Sequence, residues 1–113
     1  MTKNHPITIL GIEPNGHLIL SDRGVTTTQP GDRVTWLIHP GSGVTKINAI
    51  VNLSMPVDVF SPNDPPRPVG HSVNWQGTIN PDIQTLMEEE YCIHYTKTDG
   101  TTNNSDPKII VNP

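Results

Sequence analysis

Cysteine is nearly missing from this sequence, because Cys92 is the only one among 113 residues. A single cysteine cannot form an internal disulfide, so the cysteine content gives no sign of adaptation to an oxidising compartment. A chain of this length forms one domain and buries roughly two thirds of its unfolded surface. We therefore expect a fold that is stabilised by its apolar core without disulfides.

Long apolar runs are also missing, and none approaches the roughly 20 residues that span a bilayer. The chain starts with Met-Thr-Lys-Asn-His-Pro, which lacks the apolar segment of a secretory signal. We expect a soluble, cytoplasmic protein, or a secreted one whose signal has been trimmed. Residues 1–6 are predicted to be a flexible N-terminus, and residues 7–113 a single domain.

Positive charge is scarce. Seven Lys and Arg residues stand against eleven Asp and Glu, and the formal net charge is −4. Neutralising phosphates requires concentrated positive charge, so nucleic acids and acidic membranes are not expected as partners. The partner class that remains is an unidentified protein or small ligand.

Alanine occurs once, whereas proline occurs twelve times and glycine nine times. This composition leaves almost no segment able to sustain three turns of helix. Thr, Val and Ile are abundant, and β-branched residues favour strands. An all-β protein follows, in which alternation and turn residues predict seven to eight short strands in a two-sheet antiparallel Greek-key sandwich. The predicted strands are 7–12, 17–21, 25–28, 33–39, 44–53, 73–79, 91–96 and 108–111.

Residues 54–72 contain five prolines and are predicted to form a long loop, with room for one short turn of helix. A second short turn is expected at 83–87. Long ordered loops in compact domains are often functional, so residues 54–72 are the best place to look for a binding surface. The alternative is a loop that merely covers one end of the sandwich.

The strand at 91–96 carries the most informative residues. Side chains alternate along a strand, so Tyr91, Ile93 and Tyr95 share one face while Cys92 and His94 share the other. Burying the tyrosine face is favoured, because a slip of one residue would put both tyrosines outside. Cys92 is then expected to be a half-buried thiol beside a solvated His94.

The order of these motifs resembles the cupredoxin family over nearly the whole chain. The resemblance rests on Gln-Pro-Gly-Asp-Arg-Val-Thr-Trp at 29–36, Trp-Gln-Gly-Thr-Ile at 75–79, the strand 91–95 and Lys-Ile-Ile-Val at 108–111. It implies a two-sheet sandwich that in many members holds one copper at its end. Copper members supply a histidine after the third strand and a Cys-x(2 to 4)-His-x(2 to 4)-Met cluster before the last strand.

The sequence departs from that copper pattern in three ways. Only one residue separates Cys92 from His94, no methionine follows His94, and His39 precedes the family position near 42–44. We therefore expect no type 1 copper and no cofactor. If a metal binds, its ligands are predicted among His39, His71, Cys92 and His94, since imidazole suits zinc and copper(II). His5 and His17 are expected to be surface residues.

Catalytic signals are weaker still. Cys92 and His94 pair a nucleophile with a base in composition only, because no third group orients the base. The run Glu88-Glu89-Glu90 is interpreted as a solvated approach to a strand. No phosphate-binding glycine loop or zinc-protease motif is present, so an enzyme is not expected.

The sequence therefore predicts a non-catalytic cupredoxin-like binding or interaction module. Its expected binding surface combines residues 39–43, 56–71 and 97–104, with Trp36 and Trp75 in the core; an exposed Trp75 would favour carbohydrate or peptide stacking. Two alternatives stay open. One is a copper electron carrier using His39, Cys92 and His94, and the other is a structural component of a larger assembly, to which exposed strand edges are suited.

Overall fold

A computed structural model describes residues 3–113, and this part of the chain is all-β. It contains ten strands and no helix, hence no helix that could cross a membrane. The strands are β1 (Asn4–Ile12), β2 (Leu18–Leu20), β3 (Val25–Thr28), β4 (Arg33–Ile38), β5 (Val44–Asn52), β6 (Arg67–Pro68), β7 (Trp75–Thr78), β8 (Met87–Lys97), β9 (Thr102–Ser105) and β10 (Lys108–Val111).

The strands form two sheets. Sheet I has the order β2-β1-β4-β7-β6, and sheet II has the order β3-β10-β8-β5, with β9 also paired to β8. The consecutive strands β2 and β3 lie in different sheets, so the chain crosses between the sheets at residues 21–24. Arg23 and Gly24 adopt φ values of 61° and 87° there, which a turn of this kind requires and glycine tolerates best.

Both sheets are mixed, so the prediction of an antiparallel sandwich is wrong in this respect. β1 pairs in parallel with β4, and β10 pairs in parallel with β3. The remaining pairings are antiparallel. Parallel partners are brought together by long connections, and the hydrophobic pattern of a single strand does not reveal them.

The apolar core draws buried side chains from both sheets. Trp36 of β4 donates its indole N–H to the Tyr91 hydroxyl of β8 at 3.1 Å, and the two rings meet edge to face with centroids 5.7 Å apart. Phe60 packs on Trp36 from the loop side, at a centroid distance of 5.9 Å. These contacts join sheet I to sheet II and support a β-sandwich. The prediction that Trp36 is a core residue is confirmed, and Trp75 is partly buried against the same core.

The N-terminal strand begins earlier than the sequence indicates. β1 starts at Asn4, so residues 4–6 belong to a strand and not to a flexible N-terminus. Residues 1 and 2 lie outside the described part of the chain. The extension exists because β1 finds a parallel partner from Asn4 onward, where Asn4 pairs with Arg33.

The proline-rich segment, residues 54–72, is irregular as predicted but forms no helical turn, and neither does 83–87. The proline-rich segment contains the two-residue β6, and its Phe60 forms a β-bridge with Ile79. Val59 and Phe60 are buried in the core and fix the segment to the sandwich. Together with β9, which lies between the predicted strands 91–96 and 108–111, β6 raises the strand count above the predicted seven to eight.

Candidate functional site

The inner face of β8 carries the tyrosines, as the sequence predicts. Tyr91, Ile93 and Tyr95 are each 0% exposed, and Tyr95 donates its hydroxyl to the carbonyl of Gly16. Cys92 points the opposite way, because it alternates with these residues along the strand. The expected register of β8 is therefore confirmed.

Cys92 is more buried than expected, with only 4% of its surface exposed. It is paired with Val51 on β5 and lies beside Asp106, where β9 ends before β10. Burial, a hydrogen bond to the Asp106 carboxylate and the charge of that carboxylate raise the pKa of the thiol to about 11. A thiol held protonated in this way is a poor nucleophile, since that role needs the thiolate.

The histidines proposed as metal ligands belong to different segments of the fold. His94 is half-buried on the outer face of β8, between Ala49 of β5 and Asn104 of β9. His39 is exposed after β4, and His71 is exposed in the turn before β7. Among residues 3–113, no three His, Cys, Asp or Glu side chains form a group that could hold a metal ion.

Two of the three segments of the predicted binding surface are in direct contact. Residues 39–43 and 97–104 do meet, because Thr98 N–H donates to the Gly43 carbonyl at 2.9 Å. The proline-rich segment starts at the opposite end of β8, where the Glu90 N–H donates to Ser54 Oγ at 2.8 Å. The later part of the segment pairs with β7, where Pro68 lies opposite Trp75 and Trp75 lies opposite Trp36 of β4, so the combined surface stays a prediction.

The proline-rich segment and the turn after it expose several apolar side chains. Met55, Val69 and Val73 are 67%, 40% and 50% exposed. The backbone that carries them is fixed, because Asn52 Nδ2 donates to the Val57 carbonyl at 2.8 Å and Val69 N–H donates to the Asn74 carbonyl at 2.9 Å. An ordered loop with exposed apolar groups has the character of a binding surface.

Glu89 is the residue that sequence reasoning missed. It is 2% exposed, whereas its neighbours Glu88 and Glu90 are exposed. The interpretation of the Glu88-Glu89-Glu90 run as solvated is therefore wrong for its middle member. The signal was present, because Glu89 stands two residues before Tyr91 and so lies on the buried face of the same strand.

The Glu89 carboxylate links β8 to the proline-rich segment. Its Oε1 accepts the Val59 N–H at 2.9 Å. Burial raises its pKa to about 7, and the nearby Asp58 adds to this rise while the Val59 N–H opposes it. The carboxylate lines a cavity of about 160 Å³, whose wall comprises Ile50, Asn52, Asp58, Phe60, Pro65, Pro66 and Glu89. A carboxyl group with a strongly raised pKa in a cavity is a candidate functional group.

A second polar pair was missed at the start of the chain. His5 is not a free surface residue, because its Nε2 lies 2.8 Å from Asp32 Oδ2. Asp32 is buried and also accepts the backbone N–H of Gln29 at 3.0 Å and of Lys3 at 3.2 Å. Burial alone would raise the pKa of Asp32, but these hydrogen bonds outweigh it and the pKa is lowered. The pair anchors the first strand beside a cleft of about 270 Å³.

No family model matches the chain, and no curated protein matches it.

Proposed function

We propose that the chain is a cupredoxin-like β-sandwich that lacks a type 1 copper site and works as a non-catalytic binding or interaction module. The strand order supports the cupredoxin-like fold. β1 lies between β2 and β4, β10 lies between β3 and β8, and the chain changes sheets between β2 and β3. Such crossings are what a Greek-key sandwich needs, and they agree with the motif order of the sequence.

The register of β8 carries the copper-free part of the proposal. A type 1 site needs a thiolate and imidazoles around one metal. Cys92 instead lies on the outer face of sheet II beside Asp106, where the pKa of its thiol is raised, and among residues 3–113 no three His, Cys, Asp or Glu side chains form a group that could hold a metal ion. The same raised pKa supports the absence of nucleophilic catalysis by Cys92.

Copper(II) titration of the purified protein tests this part. We expect no intense blue or red charge-transfer band from a copper thiolate, and the same weak spectrum for wild type and Cys92→Ser. Cys92→Ser is the matched control, because it keeps every histidine. An intense band in wild type that disappears in Cys92→Ser would overturn the proposal and support the copper electron carrier with His39, Cys92 and His94.

The proline-rich segment supports the binding part. It is anchored by Val59 and Phe60 in the core, and it presents Met55 and Val69 to solvent. Ordering a loop costs conformational entropy of about 1 to 2 kcal/mol per residue. A segment that is already held in place has met much of that cost before a partner arrives, which favours binding.

Affinity capture with paired variants tests this assignment. A Met55→Ser, Val69→Ser, Val73→Ser variant is expected to lose a partner that wild type retains from its native cells. A Leu10→Ser, Ile19→Ser variant is the control, because these side chains are similarly exposed on β1 and β2 of sheet I. Loss of the partner only in the control variant would contradict the assignment.

The alternative of a structural component in an assembly has one supporting feature. β5 is nine residues long and forms an open edge of sheet II. Two irregularities interrupt its register and Lys46 is exposed, and both features discourage strand addition. Light scattering in solution tests it, since a monomer across the micromolar range would contradict self-assembly.

A further inference from the structure

We propose that Glu89 is a proton-controlled contact that holds the proline-rich segment against sheet II and releases it as the carboxyl loses its proton. This inference goes beyond the proposed function. It concerns how the segment docks on its own sandwich, and it holds whether or not the segment binds a partner.

The geometry places Glu89 at the anchor of the segment. Its Oε1 accepts the Val59 N–H, and the Val59 carbonyl in turn accepts the Asn80 N–H at 2.9 Å. The next residue, Phe60, packs on Trp36 in the core. A change at Glu89 therefore acts directly on the residues that fix the segment to the sandwich.

The charges around Glu89 leave its ionised form uncompensated. The segment contributes Asp58, and β8 itself contributes Tyr91, whose pKa burial raises far above neutral. β5 contributes only Ile50 and Asn52, and β10 contributes the paired Ile109. The ion pairs of residues 3–113 are His5 with Asp32, Arg67 with Asp64 and Lys108 with Glu88, so none includes Glu89.

The two protonation states differ in how they treat Asp58. A neutral Glu89 carboxyl can donate to the Asp58 carboxylate while still accepting the Val59 N–H. An ionised Glu89 has no proton to donate, so it repels Asp58 and leaves a buried charge without a cation. Movement of the segment away from β8 relieves both costs, because water enters the cavity.

The position of the transition follows from the same environment. Burial and Asp58 raise the pKa of Glu89 from 4.5 to about 7 in the docked state. Once the segment has moved away and water reaches Glu89, its pKa returns toward 4.5. Docking is thus strongest in mild acid, and it weakens as the pH rises through about 7.

Amide hydrogen exchange measured by NMR tests the proposal in the full chain. After correction for the base-catalysed intrinsic rate, protection at Val59 and Asn80 is expected to fall on the order of 100-fold between pH 5 and pH 9. The His39 amide, which bonds to the Ile9 carbonyl in sheet I at 3.0 Å, serves as the internal reference and is expected to stay constant. An equal change at His39 would overturn the proposal, because it would indicate global unfolding.

Two variants separate Glu89 from its neighbours. Glu89→Gln is permanently neutral and is expected to remove the pH dependence at Val59, whereas Glu90→Gln alters an exposed neighbour and is expected to keep it. A pH dependence in Glu89→Gln equal to that of wild type would overturn the proposal. If Glu89→Gln does not fold, direct titration of the Glu89 carboxyl in wild type decides, since a midpoint near 4.5 would also overturn it.

Discussion

On the two faces of β8, the ionisable side chains have the opposite acid–base properties from those that their residue types suggest. The outer face carries Cys92 and His94, whose residue types suggest a metal ligand pair or a nucleophile with its base. Burial and the neighbouring Asp106 nevertheless raise the pKa of the thiol. The inner face carries tyrosines and isoleucine, together with Glu89, whose pKa lies close to neutral. The comparison teaches that the face a residue occupies decides its chemistry, because burial and neighbours set its protonation.

The largest expected contrast between the faces is in stability. Ile93→Ala is expected to lower the free energy of unfolding by about 3 kcal/mol, because it opens a cavity between the sheets. Cys92→Ala, at the adjacent residue on the other face, is expected to cost about 1 kcal/mol, because it removes a smaller group. Urea denaturation measures both losses, provided that the dependence of the unfolding free energy on urea concentration is the same as in wild type. Equal losses would mean that the two faces are equally important to the core.

The second contrast is the pH dependence that Glu89 gives to stability. Its pKa is raised from 4.5 to about 7 on folding, so the folded state binds the proton more tightly than the unfolded state. The resulting stability is fully present below pH 4.5 and is lost as the pH rises through about 7. The loss is expected to be on the order of 2 kcal/mol, allowing for the access of water to the cavity.

Denaturation of wild type, Glu89→Gln and Glu90→Gln at several pH values between 4 and 9 measures this contribution. Glu89→Gln is expected to give a flatter profile, and Glu90→Gln is expected to follow wild type. Stability that rises across this range in wild type and variant alike would show that Glu89 is ionised in the folded protein and would contradict the raised pKa.

The sequence predicted the local features of the fold and missed those that depend on distant partners. The bounds of β3 and β10 match the predicted 25–28 and 108–111, and the alternation of β8 gives the correct inner face. The parallel pairing of these same two strands was missed, because it joins residues more than 80 positions apart. Alternation reports which residues share a face but not which strand lies beside them.

The candidate sites show the same limit. Glu89 could have been found, because it lies two residues before Tyr91 and therefore on the same face of the strand. A run of three glutamates, however, suggests a solvated segment from its composition alone. The pair of His5 and Asp32 could not have been found, because it depends on β1 lying parallel to β4. The raised pKa of Cys92 likewise depends in part on the approach of Asp106, which no local pattern encodes.

A smaller effect is expected from the hydroxyl on the inner face. Tyr91→Phe removes the acceptor of the Trp36 indole N–H and leaves that donor buried without a partner. The expected cost is about 1.5 kcal/mol, close to the penalty for one unsatisfied buried donor. Urea denaturation measures it, and Thr27→Val, at an exposed position of β3, is a control in which little change is expected. An unchanged free energy of unfolding in Tyr91→Phe would indicate that a water molecule replaces the hydroxyl as the acceptor.

The last prediction concerns the outer face and the chemical reactivity of Cys92, since the effect on stability is expected to be smallest there. With a pKa of about 11, roughly one Cys92 thiol in a thousand is ionised at pH 8, whereas an ordinary cysteine is ionised to about a quarter. Reaction with a thiol reagent is therefore expected to be on the order of 100-fold slower than with a free cysteine. The rate should rise about tenfold for each pH unit up to pH 10.

The Asp106 carboxylate is the part of this environment that a substitution can change without touching the thiol. Asp106→Asn removes a negative charge and a strong acceptor, so the pKa of Cys92 is expected to fall and the reaction at pH 8 to become faster. Asp99→Asn is the matched control, because Asp99 is an exposed carboxylate in the turn between β8 and β9. An equal acceleration in both variants would indicate a general charge effect. No acceleration in Asp106→Asn would mean that burial alone protects the thiol, and the outer face would then be inert because of packing and not because of charge.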